Sequence, residues 1–386
     1  MAFATIDLTK GITGVLPSAN ATYSTKRPNA KPLMINGDMA VAQYGTSNTN
    51  YSNATLVVDR MKGVANGLGS SGSVLTGSQV SDGPTGFEKA FKLEVTSAGG
   101  LDSADNRFAI ETKFEHQDVS KFFDNNAMTL SFYVKSSLAD TFAVGIARNN
   151  QNTSSGGNLY IANYTISSAN TWQQVVINIP TDSTTTGETA NATGVSLQWF
   201  IDIKSGGSRT GASLGWNDTT TAVQINSAAA DNGFFNATNT WFITGVQLEV
   251  GTFTSSTLPP FQHESFSDNL KRCERYFQVI AKKESGDNED AVLPFAQYSG
   301  STIYGVYNFR TEMRTAPSLS CANGTNYFRW FRQNSNTEFN TFVLDKSSPQ
   351  NCDLYQSVSG TQGSAGWVRM INNAPDGSLV ALTGEL

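Results

Sequence analysis

Gly245-Val246-Gln247-Leu248-Glu249-Val250-Gly251 is the stretch on which the fold of this chain turns. Val246, Leu248 and Val250 alternate with Gln247 and Glu249, the period of a strand that buries one face, and a glycine stands at each end. Read upstream in the same phase, Phe242 and Thr244 join that face, which predicts one long closing strand. The pattern recurs toward the N-terminus. Phe91, Leu93 and Val95 alternate, as do Met128, Leu130, Phe132 and Val134. Val175, Ile177 and Ile179 form a third run, and Val195, Leu197, Trp199, Ile201 and Ile203 the longest. Helical periodicity is almost absent, and Gly/Ser/Asn-rich loops are expected at 63–86, 148–158 and 181–194. Many short strands with polar opposite faces predict an all-β antiparallel sandwich of jelly-roll type over residues 33–262.

Downstream of Pro259-Pro260, residues 266–280 predict a connector helix. Phe266, Leu270, Cys273, Phe277 and Ile280 would form one apolar stripe, with Ser265 or Ser267 as cap and Asp268 in the first turn. Such a stripe packs within the chain or three-fold against its copies. The rest of residues 263–386 predicts a smaller β domain. Ile303, Gly305, Tyr307 and Phe309 alternate, and Tyr327 to Gln333 carries large side chains on both faces. Residues 1–32, punctuated by Gly11, Gly14, Pro17, Pro28 and Pro32, form an extended arm with no core-building period.

Composition narrows the function. Of 386 residues only 15% are charged, 11% are aromatic, and the formal net charge is -6. Nucleic acid is not expected as a partner, because phosphate neutralisation needs basic clusters. No run approaches the length of a membrane span, so membrane insertion is not expected, and the N-terminus lacks a secretory pattern. The three cysteines are widely spaced and offer no metal or redox motif; Cys321 and Cys352 either pair or stay free.

Catalysis is not expected. His116 and His263 have no nucleophile motif beside them, and neither a phosphate loop nor a dinucleotide fingerprint is present. Glu111, Glu115, Asp202 and Glu249 are the carboxylates that a glycosidase could use. For sugar binding, the candidate set is Trp216, Asn217, Asp218, Arg209 and Tyr160, a ring for stacking among groups that bind hydroxyls. The alternative role of Trp216 is to anchor its loop. Trp172 and Trp199 are expected in the core, and Trp330, Trp367 and Tyr304 offer a second surface.

Gln247-Leu248-Glu249, Cys273-Glu274-Arg275-Tyr276-Phe277 and Met313-Arg314-Thr315-Ala316-Pro317 together resemble a junction of phage tail-fibre and related virion proteins. There, a carbohydrate-binding-module-like sandwich is followed by a C-terminal β domain. Leu8 to Asn20 is similar to a short tail-fibre element, although Ala21-Thr22-Tyr23 replaces its usual glycine-rich turn. The resemblance implies a non-enzymatic bacteriophage tail fibre or receptor-binding subunit, made in the host cytoplasm and carried in the virion. It would be a homotrimer that attaches to other virion proteins through its arm and contacts host surface glycans. The runner-up is a capsid-decorating or tail-connecting protein that uses the sandwich for protein contacts. No cofactor is required, but the related sandwiches often hold a structural calcium between first and last strands, which here points to Asp38 and Glu249. Otherwise these two are turn and edge residues in water.

Overall fold

The structure, a computed structural model, describes residues 31–68, 72–123, 126–148, 158–182, 193–206, 213–218, 228–284, 289–332 and 335–385. The expected arm, apart from Lys31 and Pro32, lies outside them. The fold is all-β and antiparallel. One six-stranded sheet runs β1 (Ser47–Asn48), β3 (Val74–Val80), β4 (Ala90–Ser97), β12 (Thr240–Val250), β6 (Met128–Ser136), β9 (Gln173–Ile179). A second runs β11 (Gly215–Asp218), β8 (Asn158–Thr165), β7 (Thr141–Arg148), β10 (Thr193–Ile203), β5 (Arg107–Glu115), β2 (Lys62–Asn66). Their facing sides close one core, in which Phe91, Leu130, Phe132, Trp199, Ile201 and Trp241 are fully buried.

Two expectations about this unit are corrected. Residues 63–86 are not one loop, because β2 and β3 occupy much of that range. A short helix, α1 (His116–Phe123), follows β5 directly where the sequence suggested none. Of the other two expected loops, 149–157 and 183–192 lie outside the described residues.

The closing strand holds the third correction. Trp241 and Ile243, not Phe242 and Thr244, face the core together with Val246 and Leu248. The register against β6 shifts between Thr244 and Gln247, so the inside phase changes parity midway. Gly245 sits in that shift with a φ of 62°, a left-handed conformation that suits glycine. Beyond it, Gln247 donates through Nε2 to Glu249 Oε1 at 3.1 Å and Pro259 O at 3.0 Å. The Gln-Leu-Glu pattern thereby clips the outgoing chain to the outside of its own sheet.

The connector helix is shorter than expected. α2 spans Phe266–Cys273, capped by Ser265, whose side chain accepts from the Asp268 amide. Phe277 and Ile280 belong instead to strand β13 (Phe277–Lys282). Tyr276, Phe277, Val279 and Ile280 are aromatic or β-branched, types that fit a pleated surface better than a helix. The five-residue stripe is therefore broken, and Phe266 at its start is 60% exposed. In the C-terminal domain β22 (Leu379–Thr383) lies between β13 and β16 (Ser318–Cys321) in a three-stranded sheet. A seven-stranded sheet runs β18 (Ser335–Phe339), β17 (Phe328–Arg332), β21 (Ala365–Ile371), β14 (Glu289–Ser299), β15 (Thr302–Asn308), β20 (Asn351–Ser357), β19 (Val343–Ser347). Its own core includes Phe295, Ile303, Phe328, Trp330, Leu354 and Val368. Cys321 and Cys352 are free thiols.

The two bodies are fastened by two of the motifs that carried the resemblance. Arg275 clasps Glu115 at the end of β5 with Nε at 2.6 Å and Nη2 at 2.8 Å, and the Tyr276 hydroxyl donates to the same carboxylate at 2.8 Å. Arg60 lies 3.6 Å above the Tyr276 ring, ion-pairs with Glu385 and donates to Lys113 O at 2.6 Å. Tyr44 stacks on Phe277 with ring centroids 3.7 Å apart. Arg314 of the Met-Arg-x-x-Pro run donates to Gly384 O at 2.9 Å and Glu385 O at 3.1 Å, which holds the chain end against Arg60.

Candidate functional site

The sandwich set expected from sequence separates on inspection. Trp216 lies on β11 rather than in a free loop, opposite Tyr160 of β8. The two rings meet edge to face at 5.4 Å. Trp216 Nε1 donates to Pro180 O at 2.8 Å, and the Tyr160 hydroxyl to Asn178 O at 3.0 Å. Both acceptors belong to the opposite sheet or its end, so the pair seals the edge of the sandwich, which is the anchoring alternative. Asn217 is likewise engaged, with Nδ2 donating to Ser213 O at 2.7 Å and Gly215 O at 2.9 Å. Asp218 closes β11. Arg209 lies outside the described residues. Trp199 is core, but Trp172 is not: its half-buried ring stands on the outer face of the first sheet beside Phe242, with Lys135 Nζ 5.1 Å from its centroid. The strand that would have carried it inward, β9, starts only at Gln173.

The carboxylates offer no opposed pair over a cleft. Glu111 accepts from Ser196 Oγ at 2.6 Å and Gln198 Nε2 at 2.8 Å, with Lys62 at 3.4 Å. Glu115 belongs to the interdomain clasp. Asp202 is buried under Phe235, whose amide donates to it at 3.1 Å. Glu249 accepts from Gln247 at 3.1 Å, and Asp38 Oδ1 accepts from Asn269 Nδ2 at 3.2 Å. The first and last segments of the sandwich do meet, since Val246 N donates to Gly37 O at 2.9 Å. Yet both carboxylates already take amide donors, and among the described residues no three His, Cys, Asp or Glu side chains gather. A calcium ion needs about six to eight oxygen ligands.

Two buried acids give the protein a pH signature. Burial pushes the Asp59 carboxyl up to about 7 against the hydrogen bonds from Gln43, and burial does the same to Asp202, with Asp231 adding to the rise. An unfolded aspartate titrates near ~3.9. Between about pH 4 and 7 the folded state holds more protons, so stability falls as pH rises, by up to ~1.4 kcal/mol per unit per group. Glu111 and Glu115 are held below their usual range by lysines and by Arg275, so their contribution is lost only at lower pH. The melting temperature is therefore expected to be higher near pH 5 than near pH 8. Asp202→Asn should flatten the slope between pH 5 and 7 in calorimetry; an unchanged slope would refute the assignment.

The outward face of the seven-stranded sheet is the candidate the structure adds. Trp330, one of the three residues of the second expected surface, points inward and is fully buried. Trp367 and Tyr304 point outward, and cross-strand register groups others with them. Phe331 pairs with Trp367, and Trp367 with Pro294. Ala365 pairs with Ala296, Ala296 with Tyr304, and Tyr304 with Tyr355. Tyr298 stands 71% exposed, 5.5 Å from Tyr304, and Trp367 is 51% exposed. The Phe331 and Trp367 planes differ by 16°, those of Tyr304 and Tyr355 by 22°. On β14 the small exposed residues Pro294 and Ala296 precede the exposed Tyr298, with Trp367 beside Pro294 and Tyr304 one rung further along, beside Ala296. Pro294 is tolerated in a central strand because the β14–β21 register breaks just before it. Arg369 lies 4.8 Å from the Phe331 centroid, Arg329 pairs with Glu338 at 2.7 Å, and the Tyr304 hydroxyl meets Asp345 at 3.4 Å. Polar groups thus rim an apolar, aromatic face. The alternation of Pro294, Ala296 and Tyr298 against Phe295 and Gln297 was the sequence signal for it.

No family model matches the chain, and no curated protein matches it. Similar solved structures include a candidate sugar-binding protein from Bacteroides thetaiotaomicron, 15% identical with a TM-score of 0.33, covering 57% of this chain and 100% of that one. The enzymatically active domain of tailspike protein 4 from bacteriophage CBA120 is 13% identical with a TM-score of 0.29; the match covers 54% of this chain and 22% of that one. A family 11 carbohydrate-binding module from Clostridium thermocellum, in complex with a mixed-linked tetrasaccharide, is 13% identical with a TM-score of 0.28, covering 54% and 96%. Likeness at this level carries no argument about what this chain binds.

Proposed function

We propose that the protein is a non-enzymatic glycan-binding component of a bacteriophage virion, a tail-fibre or receptor-binding subunit. The observation that carries the binding part is the outward face of the C-terminal sheet, where Trp367, Phe331, Tyr304, Tyr355 and Tyr298 gather beside the small residues Pro294 and Ala296. Aromatic faces with polar tips match ligands that are apolar on their ring faces and polar at their rims, as sugars are. The virion part rests on the sequence resemblance, two of whose three motifs, Cys-Glu-Arg-Tyr-Phe and Met-Arg-x-x-Pro, meet at the interdomain clasp. In this reading residues 1–32 attach to the particle, and a trimer would turn weak single-site contacts into tight adhesion.

A glycan array probed with the purified protein tests the binding. Trp367→Ala, made at a half-exposed position outside the hydrophobic core, is expected to lower binding to the best ligand about tenfold or more, as loss of a stacking ring does. Its melting temperature should stay near that of the parent. A protein that binds no glycan and fails to compete with phage adsorption would instead fit a capsid-decorating or tail-connecting role.

A further inference from the structure

We propose that the outward face of the seven-stranded sheet takes internal stretches of a polysaccharide, several sugar units long, and not a terminal sugar. The inference rests on the glycan-binding reading above and adds the length of ligand that the face requires. One rung of the sheet carries Ala365, Ala296, Tyr304, Tyr355 and Val343 side by side on β21, β14, β15, β20 and β19. Four strand spacings stretch that row over about 19 Å, several times the length of one sugar ring. On a neighbouring rung, Phe331, Trp367 and Pro294 extend the same face out to β17. Val306 of β15 stands exposed on it, two residues beyond Tyr304. The two ring pairs therefore lie along a diagonal band, Phe331 with Trp367 toward one end and Tyr304 with Tyr355 toward the other. Small residues fill the middle, and Tyr298 stands beside Tyr304.

Of the seven large hydrophobic side chains most exposed among the described residues, four stand on this face: Tyr298, Val306, Val343 and Trp367. A contiguous apolar area of this kind marks an interaction site. Recognition of a chain end needs walls that close around its last ring, as in pockets that bury most of their ligand. Here the long row ends in exposed residues at both sides, Ala365 on β21 and Val343 on β19, so a bound chain can run on past each end. A single ring on an open face buries little surface. Affinity then comes from several rings laid down together, because the gain follows the apolar area removed from water. Partners for the hydroxyls stand along the margin of the band: Asp345 at the Tyr304 hydroxyl, Asp353 opposite Val306, and Arg369 beside Phe331.

The test is calorimetric titration of the intact chain with unbranched oligosaccharides of one to six units, in parallel glucose, galactose, mannose and N-acetylglucosamine series. In the series that binds, affinity is expected to rise at least about tenfold between two and five units, as each added ring covers further apolar surface, and then to level off. Trp367→Ala and Tyr355→Ala, toward opposite ends of the band, should each lower the affinity for the hexamer toward that of the disaccharide. A single sugar or disaccharide that binds as tightly as the hexamer, or a length dependence untouched by Trp367→Ala, would overturn the inference while leaving glycan binding intact. Absence of binding to every series at every length also overturns it, and a blank glycan array takes the broader reading with it. A change in oligomeric state on Trp367→Ala, measured by light scattering, would identify the face as a contact between copies and overturn both.

Discussion

Gly245→Val is expected to destabilise the sandwich by about 3–5 kcal/mol, measured as a shift of the urea midpoint. Gly245 has a φ of 62°, where a residue with a Cβ is disfavoured by ~1–2 kcal/mol, and more when β-branched. A Cβ there would also come within 2.7 Å of the Phe87 ring and 2.9 Å of the Tyr133 ring. Overpacking of that kind costs about 1–3 kcal/mol. The residue matters because the register shift around it lets Trp241 and Ile243 on one side, and Val246 and Leu248 on the other, all face inward. A regular strand would turn one of these pairs to the outer face, since the side-chain period is two. A loss below about 1 kcal/mol would show that the shift tolerates a side chain and does not set the parity of β12.

Arg60→Ala is expected to cost a similar ~3–5 kcal/mol, the range for removing one partner of a buried ion pair. The guanidinium is 3% exposed and touches three elements at once: Glu385 at the chain end, the Tyr276 ring, and Lys113 O on β5. Its loss leaves the Glu385 carboxylate with the Tyr44 hydroxyl but no cation, and the Lys113 carbonyl without this donor. Because these contacts join the two domains, the expected signature is a single calorimetric transition separating into two. Glu385→Gln keeps a hydrogen-bond acceptor and should lose less. If Arg60→Ala still melts in one transition at the parental temperature, the domains are coupled by something other than this clasp.

Much of the architecture was legible in local pattern. The alternations at Phe91–Val95, Met128–Val134 and Val195–Ile201 appear as strands with those residues inward, because a sheet with one wet face imposes a period of two. Ile203, expected in the same run, lies past a register shift between Phe200 and Asp202 and packs with Phe200 and Ala109 on the other face. Legibility failed where the backbone departs from regularity. At Gly245 one glycine reversed the phase, and after Cys273 a plausible helical stripe ended because aromatic and β-branched residues found pairing with β22. The short α1 was missed, since its eight residues are too few for helical periodicity to show. The candidate site was less legible still. Trp216 and Tyr160 stand among polar residues in sequence but brace the sandwich edge in space. Trp330 and Trp367 look equivalent as isolated tryptophans, yet one is core and the other stands in solvent.

By itself, though β5 and the long β14 went unread, the sequence determined that the chain is all-β, where strands such as those at Met128–Val134 and Val195–Ile201 run, and that a smaller β body follows the sandwich after a connector. These follow from side-chain period and turn chemistry, which act within a few residues. Only the tertiary structure decided which aromatics face outward together, that Glu385 reaches Arg60, and that Pro294 stands beside Trp367 and Ala296 beside Tyr304. Those facts depend on register between strands far apart in the chain, and register is set by the packing of the whole sheet.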